Sequence, residues 1–155
     1  MNATEARVAR AEFLSFRLGE EEYAIDILKV REIRAHEAAT RMPNAPDFVK
    51  GVINLRGTIV PILDLRLRFG FEDVHNASTV TIILSIAGRE AGIVVDAVSD
   101  VVALGAEEIR PAPELRSVVE DGFIRGIAPI EGRMLIVLDI ERLMSSPGMA
   151  MAVAA

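Results

Sequence analysis

The sequence has no cysteine, no tryptophan and a single tyrosine, and aromatic residues make up only 5% of its 155 positions. Without cysteine there is no disulfide framework, no thiolate metal site and no thiol nucleophile, which fits a reducing compartment. So few aromatic rings leave little from which to build a base-stacking platform. Positive charge is also scarce: 17 Lys and Arg stand against 23 Asp and Glu, for a formal charge of −6, and no basic run occurs. Phosphate backbones are bound by clustered Lys and Arg, so the balance argues against nucleic acid as the main partner. Long apolar runs are missing as well. The charge-free stretch Val74 to Gly88 contains His75 and Asn76 and falls short of the ~20 residues of a spanning helix. The first ten residues lack the apolar core of a signal peptide. A cytoplasmic protein without direct membrane insertion is expected.

What is present is a duplication. Phe48-Val-Lys-Gly-Val-Ile-Asn-Leu-Arg-Gly-Thr-Ile-Val-Pro-Ile-Leu-Asp-Leu returns at Phe123 as Phe-Ile-Arg-Gly-Ile-Ala-Pro-Ile-Glu-Gly-Arg-Met-Leu-Ile-Val-Leu-Asp-Ile, displaced by 75 positions. Gly51 then falls on Gly126, Gly57 on Gly132 and Asp64 on Asp139. Matched glycines imply a matched backbone path, because glycine marks turns and close approaches. A weaker echo sets Glu22 to Ile33 against Glu90 to Val101 at a displacement of 68, so seven extra residues lie between Ala103 and Gly122. Two copies are fewer than a solenoid requires, so the units close individually or on each other.

Alternating apolar residues place a hairpin at 13–27, turning at Gly19-Glu20-Glu21, where the acidic run reads as a solvated loop. Val30 to Ile33 is either a helical turn or a third strand; periodicity does not decide. A second hairpin runs from Val49 to Leu63 through Asn54-Leu55-Arg56-Gly57, and Pro61, lacking an N–H, puts its strand at an edge or a bulge there. Asp64 caps a helix over 65–70, and the second copy ends with Asp139 capping a helix over about 140–146. The count is about five strands per copy, and a five-stranded antiparallel sheet of short twisted strands tends to close into a small barrel. The positive mean hydropathy calls for a large shared core or for apolar surface awaiting a partner.

Chemistry is harder to find. His36 and His75 lie in polar loops without a second ligand at metal spacing, no serine sits in a nucleophile elbow, and no glycine-rich phosphate cradle occurs. Asp64 and Asp139 form a tempting carboxylate pair, yet capping accounts for both. No enzyme, metal or cofactor is expected. Matched positions that differ between the copies are better candidates: Arg56, at a hairpin tip, is opposed by Glu131. It is either solvated or aimed at an acidic or carbonyl-rich partner. Val30, among Lys29, Arg31 and Glu32, is either a core anchor or an apolar contact rimmed by charge.

Gly19 to Ile33, Val49 to Arg66 and Gly92 to Val101 resemble the CheW family of bacterial chemotaxis adaptors, the Asn54-Leu-Arg-Gly-Thr-Ile-Val-Pro signature being specific. The similarity runs from about Phe13 to Met144; the lengths of the N-terminal arm and the Ala/Met-rich tail depart from it. The resemblance implies a mainly β fold of two five-stranded SH3-like barrels, expected over about 13–75 and 76–144, with the C-terminal helix packing on the first. The termini, 1–12 and 147–155, are expected to be flexible. The length favours a free-standing adaptor over the module of a kinase. By resemblance it bridges the cytoplasmic tip of methyl-accepting chemotaxis proteins to the regulatory domain of the histidine kinase CheA. Val30, Glu32, Gly51 and Arg56 carry the receptor contact, and Val98 and Val101 line the same groove from the second copy. No kinase-binding residue is assigned. Alternatives are a paralogue serving surface motility or development, and a small-ligand-binding double barrel.

Overall fold

The computed structural model describes residues 10–72, 76–111 and 123–145. His75, the tail from 147, most of the N-terminal arm and most of the 105–122 loop lie outside the described residues. The first half forms β1 (Arg10–Leu18), β2 (Glu21–Asp26), β3 (Val30–Ala35), β4 (Val49–Leu55), β5 (Thr58–Asp64) and the short helix α1 (Leu65–Arg68). The second repeats it as β6 (Val80–Ile86), β7 (Arg89–Val95), β8 (Ala97–Gly105), β9 (Ile124–Ile130), β10 (Arg133–Leu138) and α2 (Ile140–Met144). Val30 to Ile33 is therefore strand. Strand β1 begins earlier than expected: Arg10 to Glu12 pair with β8, and Arg10 reaches Glu108 at 2.8 Å.

The ten strands sort into two five-stranded sheets, ordered β8-β1-β2-β10-β9 and β3-β6-β7-β5-β4. Replacing each strand by its counterpart in the repeat converts one order into the other, so the duplication survives as an internal two-fold. The expected division into 13–75 and 76–144 does not follow the sheets, however. One sheet is a single run, 30–95, while the other joins 10–26 to 97–138. The chain crosses between them at Ile27–Lys29 and again at Asp96. At the first crossing Asp26 Oδ1 accepts the Leu28 N–H at 2.9 Å, which opens a helical turn that directs β3 onto β6 rather than back along β2. Each copy thus lends strands to the other's sheet. As a consequence each sheet holds one parallel pair, β2 with β10 and β5 with β7, where an all-antiparallel ladder was expected.

The exchange explains why β1, β2, β6 and β7 are apolar on both faces. One face of each packs across the two-fold into a shared core of Leu14, Phe16, Leu18, Tyr23 and Ile25 against Leu63, Ile82, Leu84, Ile93 and Val95. The other face fills a barrel: Phe13, Ala24, Leu104, Ala128, Leu135 and Val137 in one, Leu55, Val60, Ile62, Ile83 and Val94 in the other. Helix α2 buries Ile140, Leu143 and Met144 in the shared core. Much of the positive hydropathy is spent on this inter-barrel core, where apolar burial stabilises by roughly 25 cal/mol per Å².

Each sheet closes through a bridge between the segment after its third strand and its fourth. Thr40 pairs with Val52 in one barrel and Arg110 with Ile127 in the other, each by two backbone hydrogen bonds of 2.8–2.9 Å. The matched glycines make this possible. A Cβ on Gly51 would strike the Thr40 carbonyl and one on Gly126 the Arg110 carbonyl. Lys50 and Arg125 are the extra residues of matching bulges in β4 and β9. Pro61 lies in a strand paired on both sides, but the ladder to β7 begins only at Ile62, so its missing N–H is at a local edge.

Candidate functional site

The β4–β5 turn is a type I′ hairpin with Arg56 at φ 51° and Gly57 at φ 88°, the hand that matches strand twist. Asn54 Oδ1 accepts the Gly57 N–H at 2.8 Å, and buried Leu55 anchors the tip in the barrel interior. Arg56 is therefore projected from a rigid base. Its Nη2 donates to Glu32 Oε1 of β3 at 2.5 Å. Glu32 is also 3.5 Å from Arg34, which reaches Glu37 at 3.2 Å. The hydrogen bond from Arg56 holds the Glu32 carboxyl below the usual carboxylate range. The same pair raises the Arg56 guanidinium, so both stay ionised. Two thirds (66%) of the Arg56 side chain remains in solvent.

Glu32 and Arg56 are thus brought together, and the other expected contact residues stand in different relations to them. Val30 and Val98 open β3 and β8 and both pack, half-buried, on the rim of the shared core. Val30 thus packs against the core while part of it stays exposed. Val101 is exposed on β8, in the other sheet. Gly51 is buried beneath Thr40. Its role is to let the barrel close behind the Arg56 hairpin.

The second barrel carries a related cluster that single-residue reasoning missed. Arg133 of β10 binds Glu22 of β2 through Nε and Nη2, at 3.2 and 2.8 Å. It binds Asp100 of β8 through Nη1 and Nη2, at 3.1 and 2.9 Å. Ser15 Oγ, buried, donates to Asp100 Oδ1 at 2.6 Å. Arg133 holds the Glu22 and Asp100 carboxyls below their usual range. The acidic run is accordingly less of a solvated loop than expected: Glu22 is in this network, and Glu21 accepts the Tyr23 hydroxyl at 2.6 Å. Burial raises the Tyr23 hydroxyl well above its usual range. The signal was available, since the displacement of 68 sets Asp100 on Glu32. Exposed Ile33, Ile59 and Met134 were also passed over.

Asp64 and Asp139 do cap α1 and α2, accepting from Arg66 and Leu67 N–H in one case and Arg142 N–H in the other. Asp64 does more. Fully buried, it binds equally buried Arg66 through two side-chain hydrogen bonds of 2.9 and 2.7 Å. Arg66 continues to Asp96 at 3.3 Å, whose other oxygen accepts the Gly19 N–H at 2.6 Å. This chain of bonds ties α1 to the β1–β2 turn. No group of three or more His, Asp or Glu among the described residues is placed to share a metal. A cleft of about 810 Å³ beside Gly19, Phe71 and Asp96 is open and lies away from Arg56. No helix among the described residues is long and apolar enough to cross a membrane.

Comparison with known proteins agrees with this architecture. Residues 12–148 match the family model of the CheW-like domain. The chain is 54% identical over 141 residues to the chemotaxis protein CheW of Klebsiella aerogenes, covering 90% of this chain and 85% of that one. It is 42% identical over 135 residues to the probable chemotaxis protein CheW of Rhizobium etli, covering 86% and 87%. Among solved structures, the scaffolding protein TtCheW of Thermoanaerobacter tengcongensis superposes with a TM-score of 0.80 at 34% identity, over 89% of this chain and 94% of that one.

Proposed function

Because the chain belongs to the CheW family of chemotaxis scaffolds, which are not enzymes, we propose that it couples chemoreceptors to the histidine kinase CheA. It acts in the cytoplasm and is recruited to receptor arrays at the membrane. The receptor's helical tip docks against Val30, Glu32, Arg56, Val98 and Val101, with Gly51 acting through the backbone. The observation that carries this reading is the Arg56 guanidinium. It is ionised, mostly solvated and held at a defined place by a rigid turn and one carboxylate. Such a fork is suited to carbonyl and carboxylate groups on a partner. Half-buried Val30, on the same strand as Glu32, and Val98 across the shared core offer apolar contact. Assembly, not turnover, is the mechanism: a fixed geometry between receptor and kinase lets small receptor shifts bias the kinase between states. Linkage in an array raises the effective concentration of each weak contact.

The small-ligand reading has no support, since both barrel interiors are filled by side chains. The test is reconstitution. Autophosphorylation of CheA is expected to rise only when receptor fragment, kinase and this protein are combined, and Arg56→His is expected to abolish most of that rise without lowering the melting temperature. A kinase indifferent to the added protein would sink the proposal.

A further inference from the structure

Val98 and Val101 are three residues apart, and in an unbroken strand residues at that spacing face opposite sides. Here they share a side. Val98 lies opposite Phe16 and Val101 opposite Leu14, and directly opposed residues of a ladder stand on one face. Leu14 and Phe16 both belong to the shared core, so both valines face the junction between the barrels. Ser99 and Asp100 of β8 therefore stand against the single residue Ser15 of β1, which is a β-bulge. The same device in β3 sets Val30 opposite Leu84 and Ile33 opposite Ile82, again two residues of the shared core.

The two bulges are held differently. In β3 the ladder continues through the bulge, with Glu32 paired to Ile83. Ser15 is the match of Ile83 at the displacement of 68, and there side chains take over. The Asp100 N–H donates to Ser15 Oγ at 3.1 Å, and the hydroxyl donates to Asp100 Oδ1 at 2.6 Å. Arg133 then donates to both oxygens of the Asp100 carboxylate. Asp100, Ser15, Glu22 and Arg133 lie on four neighbouring strands, β8-β1-β2-β10, with β8 at the end of the sheet. We propose that Arg133 is a positioning residue for receptor docking: through Asp100 it fixes the β8 bulge that turns Val98 and Val101 toward the groove between the barrels. The inference rests on the receptor reading above. Its physical basis is register: a slip of one residue would carry Val101 to the other face of the sheet. A contact surface is only as well defined as the side chains that hold it in place.

The test is binding of a soluble receptor-tip fragment to the full chain. Arg133→Met and Asp100→Ala are each expected to weaken binding about tenfold, the scale on which coupled neighbours act. Glu22→Ala removes the other partner of the guanidinium and leaves its bonds to Asp100. Its binding is expected to stay within about twofold of wild type. Val101→Ser is expected to weaken binding by itself, and adding Arg133→Met to it to cost little more, because the contact being positioned is already gone. In the free protein, exchange of the Asp100 amide is expected to quicken in Arg133→Met and not in Glu22→Ala. Unchanged binding in either Arg133→Met or Asp100→Ala overturns the inference. So does a loss in Glu22→Ala equal to that in Arg133→Met, which would make the cluster structural only. Additive losses from Arg133→Met and Val101→Ser would overturn it too, by making Arg133 a contact in its own right. Unchanged amide exchange at Asp100 in Arg133→Met overturns this inference alone, whereas wild-type protein that does not bind the fragment overturns the receptor reading and this role in docking with it.

Discussion

Asn54-Leu55-Arg56-Gly57 and Pro129-Ile130-Glu131-Gly132 are two hairpin tips with one backbone and opposite charges. Arg56 and Gly57 have φ of 51° and 88°, Glu131 and Gly132 of 49° and 75°. The left-handed conformation at the first of these positions is unfavourable for any residue with a Cβ. Ala87 adopts it too, at φ 50°, so strain does not by itself single out Arg56. What does is the surroundings. One tip sets a cation beside a single carboxylate and leaves it in solvent; the other barrel holds its cation, half-buried, between two. A duplicated scaffold has kept its glycines and let its charged residues diverge, and the divergence is where the functions of the two halves part.

Breaking the two halves at matched positions measures how unequal they are. The largest gap is expected between Asp64→Ala and Asp139→Ala. The first removes a cap and the two hydrogen bonds that hold buried Arg66 to it, and deleting one partner of a buried pair costs about 3–5 kcal/mol, the lower end applying because Asp96 remains beside Arg66. The second removes only the Arg142 N–H cap, worth about 1 kcal/mol. Thermal melts should therefore fall by roughly 10 °C and roughly 3 °C; equal losses would mean that the Asp64–Arg66 pair contributes nothing beyond its cap. Next come Gly51→Ala and Gly126→Ala, since both Cβ atoms run into the closing segment. Gly51 also sits at φ 135°, so about 3 kcal/mol is expected there and about 2 kcal/mol at Gly126, read from urea midpoints. A Gly51→Asp protein that kept its stability but lost receptor binding would mean that Gly51 serves the receptor contact and not only barrel closure.

Much of this was legible in the chain because duplication supplies its own alignment. Matched glycines located the hairpins, Asp64 and Asp139 announced their helices, and the strand count per half was correct. The pairing of strands was not legible. Whether β3 returns to β2 or crosses to β6 depends on a three-residue turn, Ile27–Lys29, and on apolar residues that look the same on either side of a sheet. For the same reason the boundary near residue 75 divides the repeat and not the barrels. At the site, Arg56 stood out by type and place, while Glu32 came only from the family resemblance. The place of Gly51 beneath Thr40 was not legible, because the carbonyl pressed against its Cα comes from another segment of the chain. The Glu22–Arg133–Asp100 cluster went unseen because its members lie far apart in sequence and each looks like an ordinary surface charge.

The smallest expected effect separates the two arginines by pH. Glu22 and Asp100 are held below their usual range chiefly by hydrogen bonds from Arg133. A carboxylate with a depressed folded-state pKa stabilises fully above its ordinary titration range, near pH 4, and loses that contribution as pH falls through the depressed value. Arg133→Met should therefore cost about 1 kcal/mol near neutrality, modest because the cluster is reached by solvent, and the gap to wild type should close as pH falls below the ordinary carboxylate range. Arg56→Met should leave the melting temperature unmoved across the same range, because its pair with Glu32 is exposed to water. Melts from neutral to acid pH decide the matter. A penalty for Arg133→Met that persists in acid would mean that the side chain acts by packing, and a pH-dependent loss for Arg56→Met as large as that for Arg133→Met would erase the distinction between an arginine that holds a barrel together and one that is left available to a partner.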